Sequence, residues 1–286
     1  MKILVTGATG FIGNYVIEQL LSDHVDIIAT STNIDKAKSK DWFDKVTFIP
    51  FSLSEVNGEH LNLYEAFGKP DKVIHLAWGG LPNYKSLHHF EKELFCQYAF
   101  LKNLVQNGAK DITVTGTCFE YGMQQGCLSE DMATQPSNPY ALAKDTLRKF
   151  LQELQKTERF SLKWVRLFYM YGKGQSPNSL LSQLDKALEE GEMVFNMSGG
   201  EQLRDYLPVK DVAKNIIGIA TQDDIQGIIN CCSGEPAPVK KFVENYLNKI
   251  NQTIKLNLGY YSYSDLEPFA FWGDTKKLKA IVCIQN

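Results

Sequence analysis

The sequence predicts an α/β protein: a doubly wound parallel sheet covered by helices on both faces, with a smaller C-terminal lobe. Three observations predict it. An apolar run opens the chain, a glycine-rich turn follows it and starts a helical pattern, and apolar strands then recur between helical segments as far as residue 171. Strands that are apolar throughout are buried on both faces, as parallel strands under crossover helices are.

Residues 2–6 read as a buried strand by composition. Residues 11–21 carry apolar side chains at helical spacing (Phe11, Ile12, Tyr15, Val16, Leu20), and 26–30 is the next strand. Strands follow at 46–50, 72–77, 111–115 and 162–167, with helices near 59–68, 87–107 and 140–157. Beyond Tyr171 the rhythm breaks into Gly172-Lys173-Gly174-Gln175-Ser176-Pro177-Asn178, then a helix near 179–190, a strand-like 227–231, a helix near 238–250 and a stretch holding Tyr260, Tyr261, Tyr263 and Trp272.

The chain has 286 residues, 44% hydrophobic and 22% charged, with a net charge of −3. That excludes a disordered chain and gives no bulk charge for nucleic acid. No apolar stretch approaches about 18 residues and no signal peptide precedes the first strand, so a cytoplasmic protein without a membrane partner is expected. The six cysteines form no C-x-x-C pair and are expected to be reduced thiols. His88-His89 with Glu91 and Glu93 could suggest a metal, but adjacent histidines on a helix point apart; a solvated face and no metal site are expected. No G-x-x-x-x-G-K-[ST] phosphate loop is present.

Thr6-Gly7-Ala8-Thr9-Gly10-Phe11-Ile12-Gly13 joins the first strand to the first helix. Gly7 permits the tight turn, Gly10 lets backbone approach a pyrophosphate, and Gly13 lets the helix pack closely on the strand, while the helix N-terminus offers free N–H groups to phosphates. Residues 1–171 are therefore assigned to a dinucleotide-binding domain, to which a segment near 204–226 returns, and 172–286 mainly to a substrate-binding lobe.

The glycine spacing is G-x-x-G-x-x-G, and here the chain resembles the extended short-chain dehydrogenase/reductases, the nucleotide-sugar epimerase/dehydratase group. The likeness covers almost the whole chain and implies a Rossmann-type fold. Cofactor contacts are expected from Gly7, Thr9, Gly10, Phe11, Ile12 and Gly13, and from Leu76, Ala77 and Trp78 in His75-Leu76-Ala77-Trp78, which looks like the family's fourth-strand H-x-A segment. NAD-preferring members close the second strand with an acidic residue that binds the ribose 2′-hydroxyl. Ser31, Thr32 and Asn33 stand there, followed by Lys36 and Lys38. With no carboxylate to repel a 2′-phosphate, NADP(H) is favoured and NAD(H) remains open. The acidic residue of the third strand is also missing, Phe51-Ser52-Leu53 standing in its place.

Y-x-x-x-K occurs four times, at Tyr98/Lys102, Tyr140/Lys144, Tyr169/Lys173 and Tyr206/Lys210. The chemistry needs the pair one helical turn apart, so that the ammonium acidifies the phenol and holds the cofactor ribose. Pro208 breaks the last candidate, Gly172 argues against the third, and Tyr98/Lys102 precedes the 111–115 strand. Tyr140/Lys144 follows Asn138 as N-cap and Pro139 at the first helical position. Thr117-Cys118-Phe119-Glu120-Tyr121-Gly122 resembles the family's S/T-x-x-x-Y-G segment, which implies that Thr117 is the catalytic hydroxyl. In this reading Tyr140 donates a proton to the alkoxide formed as hydride arrives, or withdraws it in reverse.

Dehydratases of the family carry Asp-Glu after the catalytic Thr; Cys118 and Phe119 hold those places and cannot do that proton work. Cys118 is expected to be a small buried thiol. Arg204-Asp205-Tyr206-Leu207-Pro208-Val209 resembles R-D-Y-x-x-V, which implies that Arg204 clamps the substrate diphosphate; an ordinary Arg204–Asp205 pair is the alternative. Tyr169 replaces the Asn of R-x-x-N-x-Y-G. Trp78, Tyr84, Phe119 and Tyr169, with Cys118, are expected to wall the sugar pocket.

The resemblance implies a reductase of the C4 ketone of a nucleotide-diphosphate 4-dehydro-6-deoxy sugar. A nucleotide-sugar 4-epimerase that retains NAD is the first alternative, and a non-catalytic dinucleotide-sensing regulator the second. A homodimer joined through helices near 90–107 and 140–157 is expected.

Overall fold

A computed structural model describes residues 1–56, 61–265 and 267–284. Seven parallel strands form one sheet: β1 (Lys2–Thr6), β2 (Asp26–Ser31), β3 (Thr47–Pro50), β4 (Lys72–His75), β5 (Asp111–Thr117), β6 (Ser161–Leu167) and β7 (Gly227–Cys231), in the order β3-β2-β1-β4-β5-β6-β7. The chain winds outward from β1 to β3, then returns to lay β4 on the other side of β1. That reversal leaves a crevice beyond the C-terminal ends of β1 and β4, where ligands bind in such sheets.

The helices are α1 (Phe11–Ser22), α2 (Ile34–Lys38), α3 (Leu63–Ala66), α4 (Leu94–Gln106), α5 (Pro139–Leu154), α6 (Leu180–Glu189), α7 (Val209–Thr221), α8 (Val239–Lys249) and α9 (Lys276–Ile284). One face of the sheet is closed by Val16, Ile17 and Leu20 of α1, Val212 and Ile216 of α7, and Leu278 and Ile281 of α9. The other is closed by Phe100, Leu101 and Leu104 of α4 and Leu147 and Leu151 of α5. Burial on both faces is what the unbroken apolar strands require.

The lobe has its own core, in which Leu181 and Leu184 of α6 meet Val243 and Leu247 of α8 with Phe195 and Met197 between them. Two segments that the sequence places with the lobe lie with the sheet instead. Strand β7 completes its edge beside β6, and α9 packs against α7. Their apolar side chains answer the sheet face left open beside α1, which a linear reading cannot see. Other differences are at ends: β5 runs on through Thr117, β4 stops at His75, and α4 is preceded by a π turn at His89–Glu93. Of the helix expected near 59–68, Leu63–Ala66 is present; residues 59 and 60 lie outside the described residues.

Candidate active site

Two adjoining cavities, of about 370 and about 680 Å³, open over the crevice and share the walls Gly7, Gly10, Lys36, Leu76 and Trp78. The glycine loop runs between them. Gly7 takes φ +67°, and a Cβ on Gly13 would stand 2.3 Å from the Gly7 carbonyl oxygen, so helix α1 approaches the loop only because position 13 is bare. Gly10 is the N-cap of α1 and has no side chain to occupy the N–H groups of the first turn.

Thr9, Ser31, Thr32 and Ala77 line the smaller cavity, and Phe11, Ile12 and Gly13 the larger. At the end of β2, Thr30 Oγ1 and Ser31 Oγ are buried without a protein partner. The bare glycine cradle and these orphaned hydroxyls fit the phosphates and a ribose of a dinucleotide. Asn33 departs from expectation: it lines neither cavity, because its Oδ1 accepts from the Lys36 amide at 2.8 Å as the N-cap of α2.

Beneath the loop, the Thr6 hydroxyl accepts from the Leu76 and Ala77 amides, each at 3.2 Å, and donates to His75 Nδ1 at 2.9 Å. His75 Nε2 donates to Gln97 Oε1 at 2.6 Å. Burial holds the His75 pKa down to about 3, reinforced by the charge of Lys144, so the imidazole is neutral and fixes the β4 end without adding charge.

Thr117 and Tyr140 both line the larger cavity. Asn138 accepts from the Ala141 amide at 2.9 Å and Pro139 opens α5, as the sequence predicts for the start of this helix. Burial pushes the Tyr140 pKa well up, with Tyr84, Glu120 and Cys118 adding to it and Thr117 opposing. The phenol is therefore held in its protonated, donor form.

Lys144 is buried behind this pair and lines neither cavity. Its Nζ donates to the Thr115 carbonyl at 2.8 Å and sits 4.0 Å from the centre of the Trp78 ring. It is not among the main influences on the phenol, contrary to the sequence expectation. Burial brings its own pKa down to about 7, against the pull of Glu120 and Glu93. Below about pH 7 the folded protein carries a buried charge at full cost; between about pH 7 and 10.5 the unfolded chain binds a proton that the folded chain does not, and stability rises with pH. Lys144→Met is accordingly expected to stabilise the protein by on the order of 2 kcal/mol at about pH 6, the gain fading toward pH 10. Thermal melts across that range check it, and an unchanged or lowered melting temperature at about pH 6 contradicts it.

Trp78, Tyr84, Cys118, Phe119 and Tyr169 all face the larger cavity. Tyr84 packs edge-on against Phe119 at 5.3 Å and at a tilt against Tyr140 at 5.4 Å. Burial raises the Cys118 pKa strongly, which makes it an inert thiol. Arg204 departs from expectation. It sits behind Tyr169, off the cavity: Nε and Nη2 donate to Glu267 at 3.1 and 2.9 Å, and Nη1 to the carbonyls of Leu203 and Phe269 at 2.8 and 3.0 Å. With its donors taken by the protein it braces the 267–269 segment, and it pairs with Glu267 rather than with Asp205. Asp205 is instead bound by the Ser233 and Gly234 amides.

His89 corrects a further expectation: it is fully buried, not on a solvated face, and its Nδ1 accepts from the Trp78 indole at 3.1 Å. Glu120 received no role from the sequence reasoning. It is fully buried; its Oε1 accepts from the Thr117 amide at 2.9 Å while the Thr117 hydroxyl accepts from the Phe119 amide. The signal was present as T-x-x-E, a capping box. Gln175 and Ser176 also line the larger cavity, where the sequence predicts only a loop.

Among the described residues no group of three or more His, Cys, Asp or Glu side chains is placed to hold a metal, and no helix is long and apolar enough to cross a membrane.

The chain is similar to known proteins over most of its length. A chain from Aggregatibacter actinomycetemcomitans, dTDP-6-deoxy-L-talose 4-dehydrogenase (NAD(+)), is 28% identical over 274 residues, covering 96% of this chain and 99% of its own. The dTDP-4-dehydro-6-deoxyglucose reductase of Escherichia coli is 24% identical over 87% of this chain and 82% of its own. Among solved structures, MoeE5 in complex with UDP-glucuronic acid and NAD superposes with a TM-score of 0.82 at 24% identity, covering 99% of this chain and 93% of that one, which shows the fold. The model of the NAD dependent epimerase/dehydratase family matches residues 3–232, and the chain belongs to that family.

Proposed function

We propose that this protein reduces, with NADPH, the C4 ketone of a nucleotide-activated 4-dehydro-6-deoxy sugar. The observation that carries the reading is that Thr117 and Tyr140 share the wall of a cavity that joins a second one across the glycine loop. A dinucleotide held by Gly7, Gly10, Gly13, Ser31 and Thr32 supplies hydride chemistry when bound. Thr117 orients the reacting oxygen, and Tyr140, kept protonated by burial, donates the proton that the developing alkoxide takes up.

Two features support the substrate class. Lys36, beside the glycine loop, is the one charged side chain that lines the larger cavity among the described residues; elsewhere its walls are Leu81, Pro82, Tyr84, Phe119 and Tyr169, with polar Gln175 and Ser176. A C6 methyl suits such walls, whereas a C6 carboxylate would be buried unpaired. The two relatives named above act, by their names, on 6-deoxy sugars at C4. For the cofactor, Ser31, Thr32 and Lys36 are the groups near the end of β2, and the carboxylate that does line that cavity, Glu93, is taken by the Gly79 amide at 3.0 Å and Gln97 at 2.9 Å.

The test is oxidation of NADPH and NADH across a panel of nucleotide-diphosphate 4-ketosugars. Turnover with 4-dehydro-6-deoxy sugars and a preference for NADPH are expected. Tightly held NAD, with interconversion of C4 epimers and no net consumption of reductant, would establish an epimerase instead.

We further propose a homodimer through α4 and α5. These helices pack together and leave Phe95 58% and Leu142 45% exposed, apolar surface that a second copy would cover. Light scattering is expected to return twice the chain mass; a monomer rejects the assignment.

A further inference from the structure

Behind the larger cavity the Lys144 ammonium ends a short stack of rings. The Trp78 indole lies 4.0 Å below it, measured to the ring centre. Trp78 Nε1 donates to His89 Nδ1 at 3.1 Å, and His89 Nε2 donates to the Asn83 carbonyl at 2.8 Å. The partners settle the tautomer: a carbonyl only accepts, so Nε2 carries the hydrogen and Nδ1 is free to take the indole N–H. The imidazole is fully buried and lies 30° from the indole plane.

We propose that Trp78, locked in rotation by His89, is the positioning residue for Lys144, its ring face keeping the ammonium charged and in place behind the wall shared by the two cavities. The inference rests on reading Lys144 as part of the redox site. An ammonium over an indole face is stabilised by the ring quadrupole, most strongly where water is excluded. The other groups around Lys144 are Tyr140, one turn back on its own helix, Glu120 after β5, Glu93 at the entry to α4, and His75 on β4. Glu120 and Glu93 favour the charged form, and His75 is neutral. The indole is thus the neutral wall that sides with the carboxylates against burial. Its orientation depends on one acceptor, His89 Nδ1, the partner its N–H finds here.

The experiment titrates the Lys144 13Cε resonance in cofactor-free protein, assigned by its loss in Lys144→Met, and measures NADPH and NADH dissociation constants by calorimetry. Trp78→Leu and His89→Leu are each expected to lower the Lys144 midpoint by about half a pH unit or more and to weaken cofactor binding by about 10-fold. His89→Asn, which restores an acceptor for the indole N–H, is expected to recover most of both effects, and Trp78→Leu with His89→Leu to do no more than Trp78→Leu alone. Trp78→Phe, which keeps the bulk, is expected to give a smaller downward move and serves if the leucine variants do not fold. A midpoint that is unchanged or raised in the Trp78 variants overturns the inference, since the indole would then only exclude water. The titration needs no turnover: a protein with the expected midpoints that reduces no ketone would refute the redox reading and leave this one standing.

Discussion

Tyr140→Phe is expected to lower turnover by about 10²-fold or more while cofactor affinity is largely kept. The phenol shares the cavity wall with Thr117 and is held protonated by burial. The ring itself is fixed by neighbours that do not depend on the hydroxyl. Trp78 lies 5.9 Å away, Tyr84 5.4 Å and His89 5.4 Å, centre to centre, so phenylalanine keeps the shape of the wall. Removing the hydroxyl deletes the proposed proton donor and leaves the glycine loop and the end of β2 untouched. Lys144→Met differs: despite its gain in stability it is expected to lose both turnover and cofactor affinity. Steady-state kinetics with calorimetric binding on the two variants separate these outcomes. Turnover within about 10-fold of the parent in Tyr140→Phe would remove the phenol from the chemistry and return the non-catalytic, dinucleotide-sensing alternative.

Glu120→Gln is expected to cost about 3–5 kcal/mol of stability, because it breaks a buried ion pair from one side. Glu120 and Arg166 are both fully buried, with Arg166 Nε 2.8 Å from Oε2. The same carboxylate accepts from the Trp164 indole at 3.0 and 3.1 Å and from the Thr117 amide at 2.9 Å. Arg166 has little else to fall back on: its Nη1 and Nη2 make no hydrogen bond by ordinary geometry, and its guanidinium lies 4.4 Å over the Tyr121 ring. An amide in place of the carboxylate leaves that cation uncompensated in the interior. Urea denaturation measures the loss. Replacing both partners, Glu120→Leu with Arg166→Met, is expected to restore most of the stability, since well-packed apolar groups often match a buried pair. It is not expected to restore turnover, because the Thr117 amide has lost its acceptor and the hydroxyl proposed to orient the reacting oxygen loses its fixed setting. A double variant with parental kinetics would show that Glu120 serves the fold alone.

The glycine loop is legible in the sequence: Gly7, Gly10 and Gly13 are read from position and spacing because the backbone geometry they permit is local. The Asn138-Pro139 cap singles out Tyr140 and Lys144 among four identical patterns, again a local signal. Arg204 misled because its segment matches the family in sequence, while its actual partner, Glu267, lies 63 residues away. Asn33 misled for the opposite reason, since its own helix three residues on claims the side chain. His89 looked like one of two surface histidines; the π turn that buries it and aims it at Trp78 is set by packing against α5, which periodicity does not report.

What the sequence determined by itself, then, is the chain's local grammar: buried parallel strands, the bare loop between the first strand and helix, and the capped helix that presents Tyr140. Each depends on residues a few positions apart, where propensity and sterics act directly. Tertiary structure alone decided which cations remain free. Lys144 is seated on the Trp78 ring and a carbonyl, Arg204 is turned onto Glu267, and Arg166 is paired with Glu120. Long charged side chains reach across elements distant in sequence, and in a water-poor interior they go to whichever opposite charge, ring face or carbonyl offsets their desolvation, which is a property of the packed whole.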